Sequence, residues 1–341
     1  MKRVVFNLLV GTFMLATFTA YGRNIENSGI ITMTTLSNGE INIILTGNGV
    51  ATVDWGDGSE KVIRTLNEDG IGFKHTYPTA KLRTIIVSGD NITGLSCSNN
   101  ELTSLDVSKN TILEELFCEF NQLTSLDISK NTALTVLFCN RNQITSLNLS
   151  NNIKLIMLNC MYNQLKSLDM SNNMLLKGLY CDNNKIGSLN VSKNTALTEL
   201  QCTNNDLMSL DLSKCMALTK LDCSDNRLPS LDVSKNTALT ELICSNNELI
   251  SLNASKNTAL TKLDCGNNKL ISLNVSKNRA LTSLKCGDNQ LIANELNALF
   301  GTLHDNVIQG EKNVYIFRNR GTNACDRSIA NRKGWDVYPA Q

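Results

Sequence analysis

Little in this chain is equipped for catalysis. Its 341 residues hold only two histidines, His75 and His304, only three prolines, and only 5% aromatic residues. There is no phosphate-binding glycine loop, no G-x-S-x-G elbow, no C-x-x-C pair and no histidine pair at metal-ligand spacing. The two histidines lie far apart in the chain, so no nucleophile–base pair can be assembled. We therefore expect no enzyme, no cofactor and no metal site. Charge of either sign is not in excess: 32 basic and 31 acidic residues leave a net +1. That balance offers no electrostatic footprint for nucleic acid or an anionic membrane surface.

What the chain has is leucine, asparagine, serine and a regular cysteine. Cys97, Cys118, Cys139, Cys160, Cys181, Cys202, Cys223, Cys244, Cys265 and Cys286 each follow the last by 21 residues. From Leu102 to Gln290 the chain runs in nine consecutive 21-residue units, preceded by a partial unit at Ile92. Each unit has two related halves. One reads L-x-x-L-x-C-x-x-N, as at Leu239, Leu242, Cys244 and Asn247; the other ends L-x-V-S-x-N, as at Leu231, Val233, Ser234 and Asn236. The alternation x-L-x-C or x-L-x-V predicts a short strand with one buried face in each half. The asparagine three residues on predicts a turn whose backbone it can satisfy. A single unit cannot bury enough surface to offset the ordering of its backbone, so the units must stack. The fold class is then a parallel β-solenoid, mostly β with short turns.

The pattern L-x-x-L-x-C-x-x-N-x-L resembles the leucine-rich-repeat core with cysteine in place of a leucine. The nested halves are similar to the 21-residue bacterial subclass, carried by secreted, internalin-like proteins. That resemblance covers residues 92–290 and implies a curved solenoid that offers a surface to a partner. It names no ligand. In such a coil each cysteine takes an inward leucine slot and packs as a small hydrophobe. Stacked free thiols are expected; a disulfide ladder is the alternative, since coils ~4.8 Å apart lie within Cα reach of a bridge. The second asparagine column, from Asn110 through Asn194 and on from Asn236, is broken by Cys215. A weakened turn is expected there, with a reactive thiol as the alternative.

The ends differ from the array. Residues 1–22, "MKRVVFNLLVGTFMLATFTAYG", read as a cleaved secretory signal: a basic start, an apolar run, small residues before the cut. No cysteine lies near the cut, which argues against a lipid anchor, and the chain is expected to be exported, to the extracellular space, cell surface or periplasm, without membrane insertion. Residues 23–91 alternate apolar and polar between glycine turns and predict antiparallel strands. "VDWGDGS" at Val53–Ser59 with "HTY" at His75–Tyr77 resembles the polycystic-kidney-disease-type β-sandwich. There Asp54 and Asp57 predict a tight turn rather than a calcium site, because Gly56 and Gly58 supply the backbone freedom. Trp55 and Tyr77 are expected inside. Residues 291–341 predict a small α+β cap: a helix spaced by Leu291, Leu296, Leu299 and Phe300, the strand "KNVYIF", and a short helix in "CDRSIANRKGW".

Because the units are copies, their differences mark candidate function. Around each cysteine, Phe117, Phe120, Phe138, Tyr162 and Tyr180 gather within four units, joined by Arg141, Met157 and Glu115. Aromatics, methionine and arginine dominate partner hot spots. A protein partner, bacterial or host, is the leading expectation, with Phe117, Phe138 and Tyr180 as anchors. A glycan-binding face and a homodimer contact are the alternatives. In later units Glu199, Lys220, Glu241 and Lys262 alternate in sign and predict cross-strand pairs of small energetic value.

Overall fold

The computed structural model describes residues 28–307 and 310–340. The segment read as a signal peptide, residues 1–22, lies outside the described residues. The first eight strands are β1 (Ser28–Thr35), β2 (Glu40–Gly47), β3 (Val50–Asp54), β4 (Val62–Thr65), β5 (Ile71–Thr76), β6 (Arg83–Asp90), β7 (Ile92–Ser96) and β8 (Leu102–Asp106). They form two sheets. One has the order β4-β3-β6-β1-β8; in the other, β2 lies between β5 and β7, and all these pairs are antiparallel. Alternate residues point inward, so Ile31 and Met33 from one sheet share a fully buried core with Ile41, Ile43 and Leu45 from the other.

The W-G-D-G segment is the tight turn the sequence predicts. Asp54 and Asp57 each accept a backbone N–H two residues on, from Gly56 and Ser59, at 3.0 Å. Gly56 has φ 71°, and a Cβ there would lie 2.2 Å from the Thr84 carbonyl oxygen, so no other residue fits. Trp55 and Tyr77 are buried, and the Tyr77 hydroxyl donates to the Trp55 carbonyl at 2.5 Å. His75 stacks on Trp55 with centroids 5.1 Å apart and contacts Asp57 at 2.7 Å.

β7 and β8 are the two halves of the first coil. β7 pairs with β2 on one side and, in parallel, with the next coil on the other, so the second sheet runs on through the whole array. Its further strands are β9 (Glu115–Phe117), β10 (Val136–Phe138), β11 (Met157–Asn159), β12 (Gly178–Tyr180), β13 (Glu199–Gln201), β14 (Lys220–Asp222), β15 (Glu241–Ile243), β16 (Lys262–Asp264) and β17 (Ser283–Lys285). After helix α1 (Ala293–Thr302) come β18 (Lys312–Tyr315), the short helix α2 (Ser328–Asn331) and β19 (Trp335–Tyr338). The result is a fourteen-stranded sheet, parallel from β7 to β19.

Each coil buries six apolar side chains, for example Leu113, Leu116, Cys118, Leu123, Leu126 and Ile128. Only the cysteine half forms a strand in every coil; the valine half, predicted as a strand, is one only in β8. The difference lies in the partner: β8 pairs antiparallel with β1, whereas the valine halves of the later coils have no strand beside them among the described residues. In every coil the Asp or Asn between leucine and valine accepts the N–H of the serine two residues on, as Asp106 does from Ser108 at 2.8 Å, Asp127 from Ser129 at 2.9 Å and Asn148 from Ser150 at 3.0 Å. This side-chain turn satisfies the backbone locally. The same bonds hold the Asp127 and Asp211 carboxyls below the usual carboxylate range.

All twelve cysteines are free, so the column is one of stacked thiols. Burial pushes the thiols up, Cys139 and Cys286 to about 12, which leaves them in the inert protonated form. The first asparagine column holds the coils together. Asn142 Nδ2 donates to the carbonyls of Cys118 and Cys139, at 3.0 and 3.1 Å, while its Oδ1 accepts from Leu123 N–H at 2.9 Å. The ladder does not stop at Gln290. Val314 takes a leucine slot beside Leu284, and Asn319 donates to the Cys286 and Ile316 carbonyls, both at 2.9 Å. V-x-I-x-x-N is thus one more half-repeat with Ile316 in the cysteine slot. Leu291, read as part of the helix, precedes α1.

In the second column Asn131 Nδ2 donates to the Val107 and Asn110 carbonyls at 2.9 and 2.7 Å. Cys215 substitutes a weak S–H donor, 3.5 Å from Val191 O and 3.8 Å from Asn194 O. It is fully buried with its thiol pushed up to about 11, which argues against a reactive role. Cys215→Asn should restore two N–H···O bonds while adding the unpartnered Oδ1 that Asn194 and Asn236 already carry. The expected gain is about 1 kcal/mol, read as a raised urea midpoint; a lower midpoint would show that the slot is shaped around sulfur.

Candidate partner-binding face

The parallel register aligns equivalent residues of successive strands into columns. Phe117, Phe138, Asn159 and Tyr180 pair across β9 to β12, and so do Glu115, Val136, Met157 and Gly178. Because Leu116, Leu137, Leu158 and Leu179 between them are buried, both columns face outward. Phe117 and Phe138 are half-buried and pack edge to face with centroids 5.3 Å apart. Tyr180 is separated from them by Asn159; its hydroxyl donates to Glu199 at 2.5 Å, and Glu199 in turn pairs with Lys220 at 3.2 Å. Burial and this carboxylate push the Tyr180 phenol well above its ordinary value. Glu115 is exposed and Met157 half-buried.

A third column runs along the turn after each cysteine: Asn99, Phe120, Arg141, Tyr162, Asn183, Asn204, Asp225, Asn246, Asn267, Asp288 and Arg318. All eleven have φ between 48° and 56°. This is the left-handed region, open to Asn and Asp but costly for bulky side chains. Seven of the eleven obey that preference, and two adjacent pairs bond to each other, Asn204 to Asn183 at 2.7 Å and Asn267 to Asn246 at 2.5 Å. Phe120, Arg141 and Tyr162 break it in three consecutive coils. There the Arg141 guanidinium carbon lies 5.2 Å from the Phe120 ring centroid and 4.2 Å from that of Tyr162. The rings are 47% and 42% exposed, and Arg141, also exposed, has no hydrogen bond or ion pair for its side chain among the described residues. A cation whose faces are covered by rings keeps its in-plane N–H donors for an incoming acceptor.

The eight predicted residues therefore lie on one side of four coils, but in three columns with different character. The phenylalanine pair is largely satisfied within the chain, whereas the Phe120–Arg141–Tyr162 stack is the open, strained element. Phe120, Arg141 and Tyr162 stand out in the sequence, but their left-handed backbone does not; the prevalence of Asn and Asp at the equivalent positions of the other coils is its signal.

This combination decides the architecture: inward Leu-x-x-Leu-x-Cys, an asparagine bonded to neighbouring carbonyls, and one short parallel strand per coil. The fold is that of the leucine-rich-repeat proteins. No family model matches the sequence, and no curated protein does. Among solved structures, the leucine-rich-repeat array is similar to the functional domain of InlJ from Listeria monocytogenes, a structure that includes a cysteine ladder. The two share 32% identity over 78% of this chain, with a TM-score of 0.66. The match spans 57% of the InlJ chain, so this chain corresponds to little more than half its length. An internalin, InlF, of Listeria monocytogenes shares the fold at 21% identity and TM-score 0.56, over 73% of this chain and 82% of its own. So does a chain of the octameric complex of Latrophilin 3, Unc5D and the leucine-rich-repeat protein FLRT2, at 19% identity and TM-score 0.55, over 73% and 83%. Among the described residues, no helix is long and apolar enough to cross a membrane, and no group of His, Cys, Asp or Glu is placed to hold a metal ion.

Asp182, next along from Cys181, is only 3% exposed. Its Oδ1 accepts the Thr203 N–H at 2.7 Å and its Oδ2 has no partner among the described residues. Burial raises its pKa to about 6. A carboxyl that holds its proton more tightly in the folded state makes the fold less stable as pH rises from about 4 through 6. Asp182→Asn should remove that loss. The variant is expected to gain about 2 kcal/mol at pH 7 and to match the wild type near pH 4, measured by urea unfolding across that range.

Replacing Phe120, Arg141 and Tyr162 together by Asn should relieve three strained positions and extend the Asn–Asn bonding, at the loss of two exposed stacking contacts. Stability is expected to rise by about 1 kcal/mol; a fall of that size would mean the stack serves the fold instead.

Proposed function

We propose that this chain is an exported recognition protein that grips a protein partner on the face formed by Phe117, Phe120, Phe138, Arg141, Tyr162, Tyr180, Met157 and Glu115. The observation that carries the reading is the Phe120–Arg141–Tyr162 stack. Exposed bulky residues held in a backbone conformation that favours asparagine reduce stability, and such strain collects at binding sites. The unpaired in-plane donors of Arg141 suit a carboxylate of the partner, flanked by the two rings as apolar contacts. Phe117 and Phe138 extend that apolar surface, and Glu115 at its margin suits a basic neighbour. The appearance of the same fold in FLRT2 within a multi-protein complex, and in the internalin InlJ, supports a recognition role. Export rests on the signal-like start of residues 1–22. We assign residues 23–91, with their polycystic-kidney-disease-type motif, and residues 291–341 as modules that close the two ends of the array at 92–290.

The test is capture from outer-membrane and host-surface extracts with the full-length protein, set beside two variants. One carries Asn at Phe120, Arg141 and Tyr162; the other carries Ala at Phe117, Phe138 and Tyr180. A captured protein whose affinity falls at least about 30-fold in the Asn variant, as expected for a hot spot, supports the reading. Equal capture by all three chains would overturn it. Loss of mass from dimer to monomer in the Ala variant by light scattering, with no foreign protein bound, would reassign the face to self-association.

A further inference from the structure

Beyond coil 243–264 the same side of the solenoid changes character. Positions just after the cysteine that hold Glu119, Met161 and Asp182 in earlier coils hold Gly266 and Gly287 here. At Gly287 a Cβ would come within 2.9 Å of the Phe317 ring, so glycine is what allows that ring to lie against the sheet. A cleft of about 690 Å³ lies above it, with Gly266 and Phe317 in its lining, within the range of roughly 300–1,000 Å³ usual for small-ligand sites. Tyr315 and Tyr338 form one wall, stacked with centroids 4.8 Å apart and planes 17° from parallel. Tyr338 is 37% exposed, and β19 is the edge strand of the sheet among the described residues.

The polar lining is neutral as a set. Asp264 pairs with Lys285 at 3.6 Å and Asp288 with Arg318 at 3.7 Å, so neither an anion nor a cation finds uncompensated charge. Asn246 Oδ1 accepts from Asn267 Nδ2, and neither Asn246 Nδ2 nor Asn267 Oδ1 has a partner among the described residues. A donor and an acceptor thus stand side by side opposite a flat aromatic wall. Arg318 is the other bulky residue in the left-handed column, at φ 55°, so strain marks this cleft as it marks the Arg141 stack.

We propose that this cleft binds a neutral saccharide. A sugar ring presents an apolar C–H face for Tyr338 and adjacent hydroxyls that both donate and accept, which suits the two asparagine amides. Charged ligands are disfavoured by the paired lining, and a purely apolar ligand would leave the amides and ion pairs unhydrated. The site shares no residue with the Arg141 face, so the two assignments stand or fall separately.

The test uses the full-length protein on an array of neutral di- to tetrasaccharides, followed by calorimetry with the strongest binder. Tyr338→Ala should weaken binding at least about tenfold and Tyr338→Trp should retain it. Asn246→Asp should also weaken it, because Asp keeps the acceptor for Asn267 and removes the free N–H. Its fold is safe, since Asp225 and Asp288 already occupy that slot with the same backbone. The Asn variant of the Arg141 stack should bind the sugar within about twofold of wild type. Absence of any neutral saccharide binding, binding confined to acidic glycans or to peptides, or a binder indifferent to both Tyr338→Ala and Asn246→Asp would overturn the proposal.

Discussion

Everything in this molecule depends on one side-chain amide repeated once per coil. The asparagine after each cysteine donates to carbonyls of its own coil and of the coil before, and accepts a backbone N–H from that earlier coil. A coil made largely of turns leaves backbone groups that no ladder can pair, and buried polar groups without partners are strongly unfavourable. The amide resolves this within a cross-section too small for a second layer of structure. Because it binds two coils at once, it also fixes their spacing, which in turn sets the strand register and the alignment of the outward columns.

The same amide dictates where function can be placed. To turn its side chain inward, the chain must pass through a left-handed residue immediately before it. That residue points outward and is nearly free of packing duties, so it can vary, but only at an energetic cost that Asn and Asp keep small. Phe120, Arg141, Tyr162 and Arg318 accept the cost. The variable surface and the strained backbone are therefore one feature, and recognition here is built by spending small amounts of stability at defined intervals.

The period, the inward cysteines, the asparagine turns and the buried Trp55 and Tyr77 were legible in the residues, because each repeats or follows from a side-chain type with a single comfortable place. Beyond the first coil the valine half was misread as strand, since x-L-x-V has the right alternation but alternation does not encode a partner, and only β8 has one, in β1. The continuation of the ladder to Asn319 was hidden by one exchange, Ile316 for cysteine, after a long insertion had broken the count. Of the candidate face, the residues could be named, with Phe117, Phe138 and Tyr180 put first as anchors, but not their exposure: half-burial of Phe117 and Phe138 and exposure of Phe120 and Tyr162 depend on which side of the turn each occupies. The cleft between Asn246 and Tyr338 was invisible, as its walls come from segments nearly a hundred residues apart.

The hydrogen bonds between coils run along the axis of the array, and the second sheet of the amino-terminal module joins that series through β2 and β7. Tension applied between the two ends is consequently carried by the rungs one after another, as in links of a chain, and not shared among them side by side. Such a body yields by parting at its weakest rung. Within the second asparagine column that rung is where Cys215 replaces an amide with a thiol, near the middle of the array, so the Arg141 face and the Tyr338 cleft lie on opposite sides of the weakest link in that column.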